Sequence, residues 1–280
     1  MKRYLLCTDL DRTLIPNGIQ AESAPARVCF RRLVNHADVS LAYVTGRHRA
    51  LVEQAISEFT LPRPDFTITD VGSSIYRISD SAWERNREWD ELIAPDWQGL
   101  GHEELSALLA GLPGLQLQAM DRQGRHKLSF FVPSAVDRQQ LTDDVEKRLH
   151  QVGIRANIIW SIDLEADRRL LDILPAAANK LHAIRFLMHQ YGFLPGDTVF
   201  AGDSGNDLDV LLSDIPSVLV ANADNRIKEQ AVKGVPGMLY IAGGGYLGMN
   251  GNYSAGILEG VARYWPEIDH WLCQQSVIGG

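Results

Sequence analysis

Apolar residues follow two rhythms along this chain. Short, largely apolar runs, RYLLCTD at 3–9, VSLAYVTG at 39–46 and DTVFAGD at 197–203, end in Asp or Gly, and DFTITDVGSSIY at 65–76 gives a further strand and a turn. Such runs predict strands buried on both faces. Between them, 24–36 and 48–58 carry apolar residues at helical spacing. Strands alternating with helices predict a parallel sheet covered on both sides.

The rhythm changes over 81–97, which is rich in Trp and charge, and a different order follows. HEELSALLAGL predicts a helix. LQLQAM and RHKLSFFV predict two strands, and 135–152 an amphipathic helix. RANIIWSI and RRLLDIL predict two further strands. Helix, strand, strand, helix, strand, strand describes a small α+β unit with an antiparallel sheet, inserted over 83–172. Alternation then resumes with a helix in NKLHAIRFLMHQYG, strands in SVLVAN and MLYIA, a short helix in VLLSDI, and a last helix at 254–266. The fold expected is α/β, a Rossmann-like parallel-sheet core of 1–82 and 173–280 interrupted by a smaller α+β domain.

Composition narrows the function. A net charge of −8 argues against nucleic acid or an anionic membrane as partner. No apolar run reaches the length of a membrane span. MKRYLLCTDL reads as a first strand rather than a secretory signal. Cys7, Cys29 and Cys273 are odd in number and widely spaced, which argues against a disulfide scaffold or zinc site. A reduced, cytoplasmic location is expected.

The candidate chemistry lies at strand ends. Asp9 and Asp11 follow the first strand, Thr45 and Gly46 the second, and Asp203, Asn206 and Asp207 follow DTVFAGD. Ligands in open parallel sheets collect beyond the carboxyl ends of strands, so these can converge. Carboxylates so placed repel one another unless a cation sits among them, and hard oxygen donors favour Mg2+. Thr45 and the Gly46 amide at a strand-to-helix turn can receive phosphate oxygens, and Lys180 at a helix start adds positive charge. Each feature alone is a common turn, cap or solvated lysine; the set is not.

DLDRT, TGR, a lone lysine and GDSGND, in that order, resemble the haloacid dehalogenase superfamily of phosphatases, with an insertion like its second (C2, or IIB) cap class. Within it the chain is most similar to sucrose-phosphate phosphatases, through DLDRTLI, LAYVTGR, PDFTITDVGSSIY, HKLSFF, DILPAAANK, FAGDSGND and YSAGILEGV. The resemblance implies Asp9 as nucleophile and Asp11 as general acid, then base. It implies Thr45 and Lys180 on phosphate oxygens, with Gly46, and Mg2+ held by Asp9, the Asp11 carbonyl, Asp203 and Asp207. Asn206 either touches phosphate or orders its loop. The cap would read the sugar, with Lys127 and Ser129 as candidates, Gly72 and Ser73 contributing from the core, and Arg168 or Arg169 as weaker ones.

Arg12 departs from the small residue common in relatives, and either adds positive charge at the site or points to solvent. Leu181 stands where a glycine often follows the lysine. GGGYLG at 243–248 fits a dinucleotide fingerprint only formally, since no apolar helix follows, and a mobile loop is expected. The histidines show no ligand spacing, and Trp83, Trp89 and Trp97 are expected at the hinge rather than on a sugar. The expected activity is a phosphatase for a small-molecule sugar phosphate, sucrose 6-phosphate first. Rivals are mannosylfructose phosphate, a glycosyl-glycerate phosphate, an inactive regulatory module and a phosphomutase. A monomer is expected, with a sugar-phosphate synthase as a candidate partner.

Overall fold

The structure is a computed structural model that describes residues 2–79, 82–163 and 168–277. The chain begins with β1 (Tyr4–Thr8), α1 (Ala26–Val34), β2 (Val39–Val44), α2 (Arg49–Glu58), β3 (Phe66–Thr69), β4 (Ser74–Ser79), β5 (Ala82–Arg85) and α3 (Arg87–Ile93). Next come α4 (His102–Leu109), β6 (Gln116–Leu117), β7 (Leu128–Val132), α5 (Arg138–Gln151), β8 (Ala156–Asp163) and β9 (Arg168–Pro175). It closes with α6 (Lys180–Tyr191), β10 (Thr198–Gly202), α7 (Leu208–Leu211), β11 (Ser217–Leu219), α8 (Asn225–Ala231), β12 (Leu239–Ile241), α9 (Ser254–Tyr264) and α10 (Pro266–Val277). Among the described residues no helix is long and apolar enough to cross a membrane.

The larger sheet has eight strands in the order β12-β11-β10-β1-β2-β3-β4-β5. It is parallel from β12 to β3, and β4 and β5 add an antiparallel edge. Alternation along β1 feeds both faces, as the period of a strand requires. Leu5 and Cys7 pack with Ile184 and Leu187 of α6, whereas Tyr4 and Leu6 pack with Phe30 of α1 and Ile257 of α9. That double burial is why the strand sequences read as continuous apolar runs.

β5 is where sequence and structure part. An insertion starting at 83 would cut through it, yet β5 pairs with β4 and completes the larger sheet. Trp89 and Ile93 of α3 belong to the same core as Leu5. The Trp-rich, charged stretch is therefore an edge strand and hinge helix: one face meets solvent, so apolar and charged residues alternate. The final helix also divides. Pro266 cannot continue α9 and opens α10, whose Ile268 and Leu272 cover the α1 side of the core.

The smaller sheet is antiparallel, in the order β6-β7-β9-β8. Leu128, Phe130, Val132, Leu171 and Ile173 point to one face and pack with Leu105, Leu141, Val145 and Leu149 of α4 and α5. The alternate residues, among them Ser129 and Asp172, point to the other face, toward the larger domain. Buried Asp96 ties the two connecting segments: its carboxylate accepts from the Ala177 amide at 2.7 Å and its carbonyl from the Arg155 amide at 2.9 Å.

Candidate active site

β10, β1 and β2 are neighbours, and their carboxyl ends deliver Asp203, Asp9 and Thr45 side by side. The Asp9 amide donates to the Ala201 carbonyl at 2.9 Å, so the next strand fixes its position. Asn179 caps α6 by accepting from the His182 amide at 2.8 Å, and this cap places Lys180 under the strand ends. The buried Lys180 ammonium donates to Asp9 Oδ1 at 3.1 Å, Asp207 Oδ1 at 2.7 Å and Asn206 Oδ1 at 3.2 Å. The other oxygen of Asp207 accepts from the amides of Asp203 and Ser204, each at 3.1 Å. A Cβ at Gly202 would lie 2.6 Å from Asp207 Cγ, so this close turn requires the glycine.

Asp11 sits differently. Arg47 grips it with both Nε and Nη2, at 2.8 and 2.6 Å, and Asn17 adds a third donor at 2.7 Å. Arg47, next to the Thr45–Gly46 pair, was missed as a site residue although TGR carries it. Burial pushes the Asp11 carboxyl up, but the hydrogen bonds and charge of Arg47, with Asn17 and Lys180, together outweigh it and the net shift is downward. Asp9 is raised well above the usual carboxylate range by burial and by its acidic neighbours, against the pull of Lys180. Burial and then Asp207 push Asp203 up to about 7, with Arg12 (Nε 3.4 Å from Oδ2) opposing. Burial works against the Lys180 charge, but Asp207 and Asp9 prevail and raise its pKa.

Asp9, Asp203 and Asp207, all buried, each offer a carboxylate oxygen, and the three atoms lie within 4.8 Å of one another. Buried oxygens of like charge, two of them held above their normal pKa, fit a hard divalent cation such as Mg2+. The Asp11 carboxylate is not in this cluster. The linkage has a definite sign. A raised folded pKa means that Asp203 carries a proton between about pH 4 and pH 7 that a cation must displace. Stabilisation by 5 mM Mg2+, read as the shift in thermal midpoint, is therefore expected to grow from pH 6 to pH 8. A shift independent of pH, or larger at pH 6, contradicts the assignment.

Above these groups is a cavity of about 510 Å³. Asp9, Asp11, Thr45, Gly46, Asp203 and Asn206 line its floor, and Lys127, Gln118, Arg122, Ile159, Ser161 and Asp172 of the smaller domain form its roof. His48, reading as structural in the sequence, also reaches it, and burial lowers its pKa. Of the expected sugar-facing residues, Lys127 lines the cavity. Ser129 does not, but its hydroxyl donates to the roof carboxylate of Asp172 at 2.5 Å. Arg169 turns away to the Val136 carbonyl at 3.1 Å, and the Arg168 side chain lies outside the described residues. Trp89 and Trp97 are buried in the two cores and Trp83 packs beside Arg49, whereas Trp160 turns to the helix side of the smaller sheet and donates through Nε1 to Thr142 of α5 at 3.0 Å.

Gly72 and Ser73 lie behind the cavity rather than in its wall. Gly72 has φ +106°, its carbonyl accepts from Trp89 Nε1 at 3.1 Å, and a Cβ there would fall 2.4 Å from the Asn179 carbonyl carbon. It lets the turn press on the backbone that carries Lys180. Gly72→Ala is expected to destabilise the fold by about 2–4 kcal/mol, read by urea unfolding, through strain at positive φ and the backbone clash. The glycine-rich stretch after β12 is also tied down: Glu259 accepts from the Gly243 and Gly244 amides at 3.0 and 2.9 Å. Asn250 beyond it reaches the Ala21 carbonyl at 2.8 Å, bracing the segment that follows Asp11. No sequence signal marks Glu259 for this task, so the expected mobility is replaced by a braced loop.

Comparison with known proteins agrees with this geometry. Residues 2–265 match the family Sucrose-6F-phosphate phosphohydrolase. A HAD-like hydrolase of Nitrosococcus oceani is 48% identical over 97% of this chain and 74% of its own. Sucrose-phosphatase 1 of Nicotiana tabacum is 33% identical over 80% of this chain, which spans 52% of that protein's length. The Synechocystis sucrose-phosphatase, solved with sucrose and phosphate, superposes with a TM-score of 0.76 at 25% identity, covering 94% of this chain and 98% of that one. The mannosylfructose-phosphate phosphatase of Agrobacterium fabrum is 29% identical, over 84% of this chain and 94% of its own.

Proposed function

The chain belongs to the sucrose-6F-phosphate phosphohydrolase family, phosphoric monoester hydrolases of the haloacid dehalogenase superfamily, and from that premise we propose a magnesium-dependent phosphatase whose first substrate is sucrose 6-phosphate. The observation that carries this reading is Lys180 bridging Asp9 and Asp207 beneath a roofed cavity. Asp9 attacks phosphorus and forms an aspartyl-phosphate as the bond from phosphorus to the sugar oxygen breaks, and that oxygen leaves as a hydroxyl with the proton from Asp11. Thr45, the Gly46 amide and Lys180 hold the non-bridging oxygens while charge develops on them. Asp9, Asp203 and Asp207 would hold Mg2+, which would supply charge neutralisation.

Asp11 moves the protons. It donates one to the leaving oxygen, then takes one from the water that hydrolyses the aspartyl-phosphate. Arg47 and Asn17 favour its carboxylate, the form the second step needs, so the first step draws on the protonated minority of Asp11. The roof excludes water and meets the sugar through Lys127 and the Ser129–Asp172 pair. Mannosylfructose phosphate is the second reading, because the phosphatase for it aligns over nearly its whole length.

The test is phosphate release from sucrose 6-phosphate, mannosylfructose phosphate, a glucosyl-glycerate phosphate and a simple hexose phosphate, with Mg2+ and with chelator. Turnover highest on sucrose 6-phosphate and abolished by chelator is the expected result. Equal rates with chelator remove the metal, and preference for another sugar replaces the substrate. We also propose a monomer acting beside a sugar-phosphate synthase, checked by light scattering and co-purification.

A further inference from the structure

We propose that Asp70 is a positioning residue that neutralises Lys127 under the roof and so sets the cavity for an uncharged, hydroxyl-rich leaving group. This rests on the reading of the chain as a sugar-phosphate phosphatase and names what the sugar side must be.

Asp70 follows β3 in the larger domain, and Lys127 precedes β7 in the smaller one. Their charged atoms lie 3.5 Å apart, and both side chains are more than nine-tenths buried. Asp70 Oδ2 accepts from Thr69 at 3.1 Å, whereas Oδ1, the oxygen facing Lys127, has no hydrogen-bond partner. A buried carboxylate oxygen left this way is unfavourable unless a charge compensates it. Lys127 is that charge, and it also lines the cavity.

The backbone that aims Asp70 is strained. Asp70 and Val71 have φ of 53° and 60°, and a β-branched residue at positive φ is a true outlier. The turn is held by the Asp70 amide on the Arg47 carbonyl at 3.0 Å and the Val71 amide on the Thr45 carbonyl at 3.1 Å. The loop that offers donors to phosphate thus also fixes the acid that grips the roof. Strain of this kind persists where the surroundings over-determine it, commonly at working sites.

Charge completes the argument. The ionisable roof groups at the cavity are Lys127, Arg122 and Asp172, and Asp70 brings their sum to zero. A neutral polyol meets hydrogen-bond donors and acceptors there without a net field. A leaving group bearing a carboxylate finds Lys127 already compensated.

Binding decides this independently of turnover. Asp9→Asn serves as the trap, and calorimetry gives the dissociation constants of sucrose 6-phosphate and of a glucosyl-glycerate phosphate, which carries a carboxylate. Adding Asp70→Asn should shift their ratio about tenfold or more toward the carboxylate-bearing ligand, because Lys127 is then unpaired. Asn adopts positive φ and can still accept from Thr69. Lys127→Met with Asp70 intact should shift the ratio the other way, and the two changes together should cancel. An unmoved ratio in both single variants overturns the inference even when the parent chain hydrolyses sucrose 6-phosphate. A moved ratio in a parent chain without turnover sinks the catalytic reading and keeps this one. No binding of either ligand to the trap sinks both.

Discussion

Asp9→Asn is expected to slow phosphate release at least about 10⁴-fold while leaving the fold intact, because it deletes the atom that bonds to phosphorus. The amide oxygen can still accept from Lys180, so the geometry of the floor is preserved. Losing one charge from a cluster of three buried acids also relieves repulsion, so the metal-free variant should melt at or above the parent's midpoint. Stopped-flow phosphate release and a thermal scan check both halves. Retention of near-parental rates would move the nucleophile elsewhere.

Lys180→Met should be the most damaging change to the frame. It removes an ammonium with contacts at 2.7, 3.1 and 3.2 Å to three side chains of the floor. At pH 8 we expect a loss of about 3–5 kcal/mol, the range for breaking a buried pair, with turnover down about 10³-fold. The pH dependence has a fixed sign. Without the lysine, nothing opposes the upward push on Asp9, which gains a proton on folding, so stability falls as pH rises. The deficit against the parent should therefore shrink toward pH 5. A deficit that widens on acidification contradicts the role given to Lys180.

What the sequence reveals of this site follows from where the physics is local. Asp9, Thr45 and Asp203 are legible because an apolar run buried on both faces must end abruptly, and the first polar residues stand at the sheet's edge. Lys180 is legible because Asn179 announces a helix start. Arg47 on Asp11 is a contact across 36 residues, and nothing in TGR states which acid it meets. Asp70 was hidden because its turn uses positive φ at Asp and Val, not at a glycine that would advertise it. Asp172 occupies a strand whose two faces are both largely apolar, so alternation alone could not tell roof from core. The edge strand β5 escaped for the opposite reason, since its exposed alternate residues look like linker.

The position of β1 in the middle of the sheet has a consequence for synthesis. Thr8 lies beside Tyr43 on one side and Ala201 on the other. The first neighbour emerges from the ribosome almost at once. The second arrives roughly 10–40 s later at ordinary elongation rates of 5–20 residues per second. Until then the strand that leads to Asp9 presents an open hydrogen-bonding edge, an invitation to wrong partners that a nascent chain must have shielded. Assembly of the acid cluster around Asp9 is thereby postponed until β10 has been made.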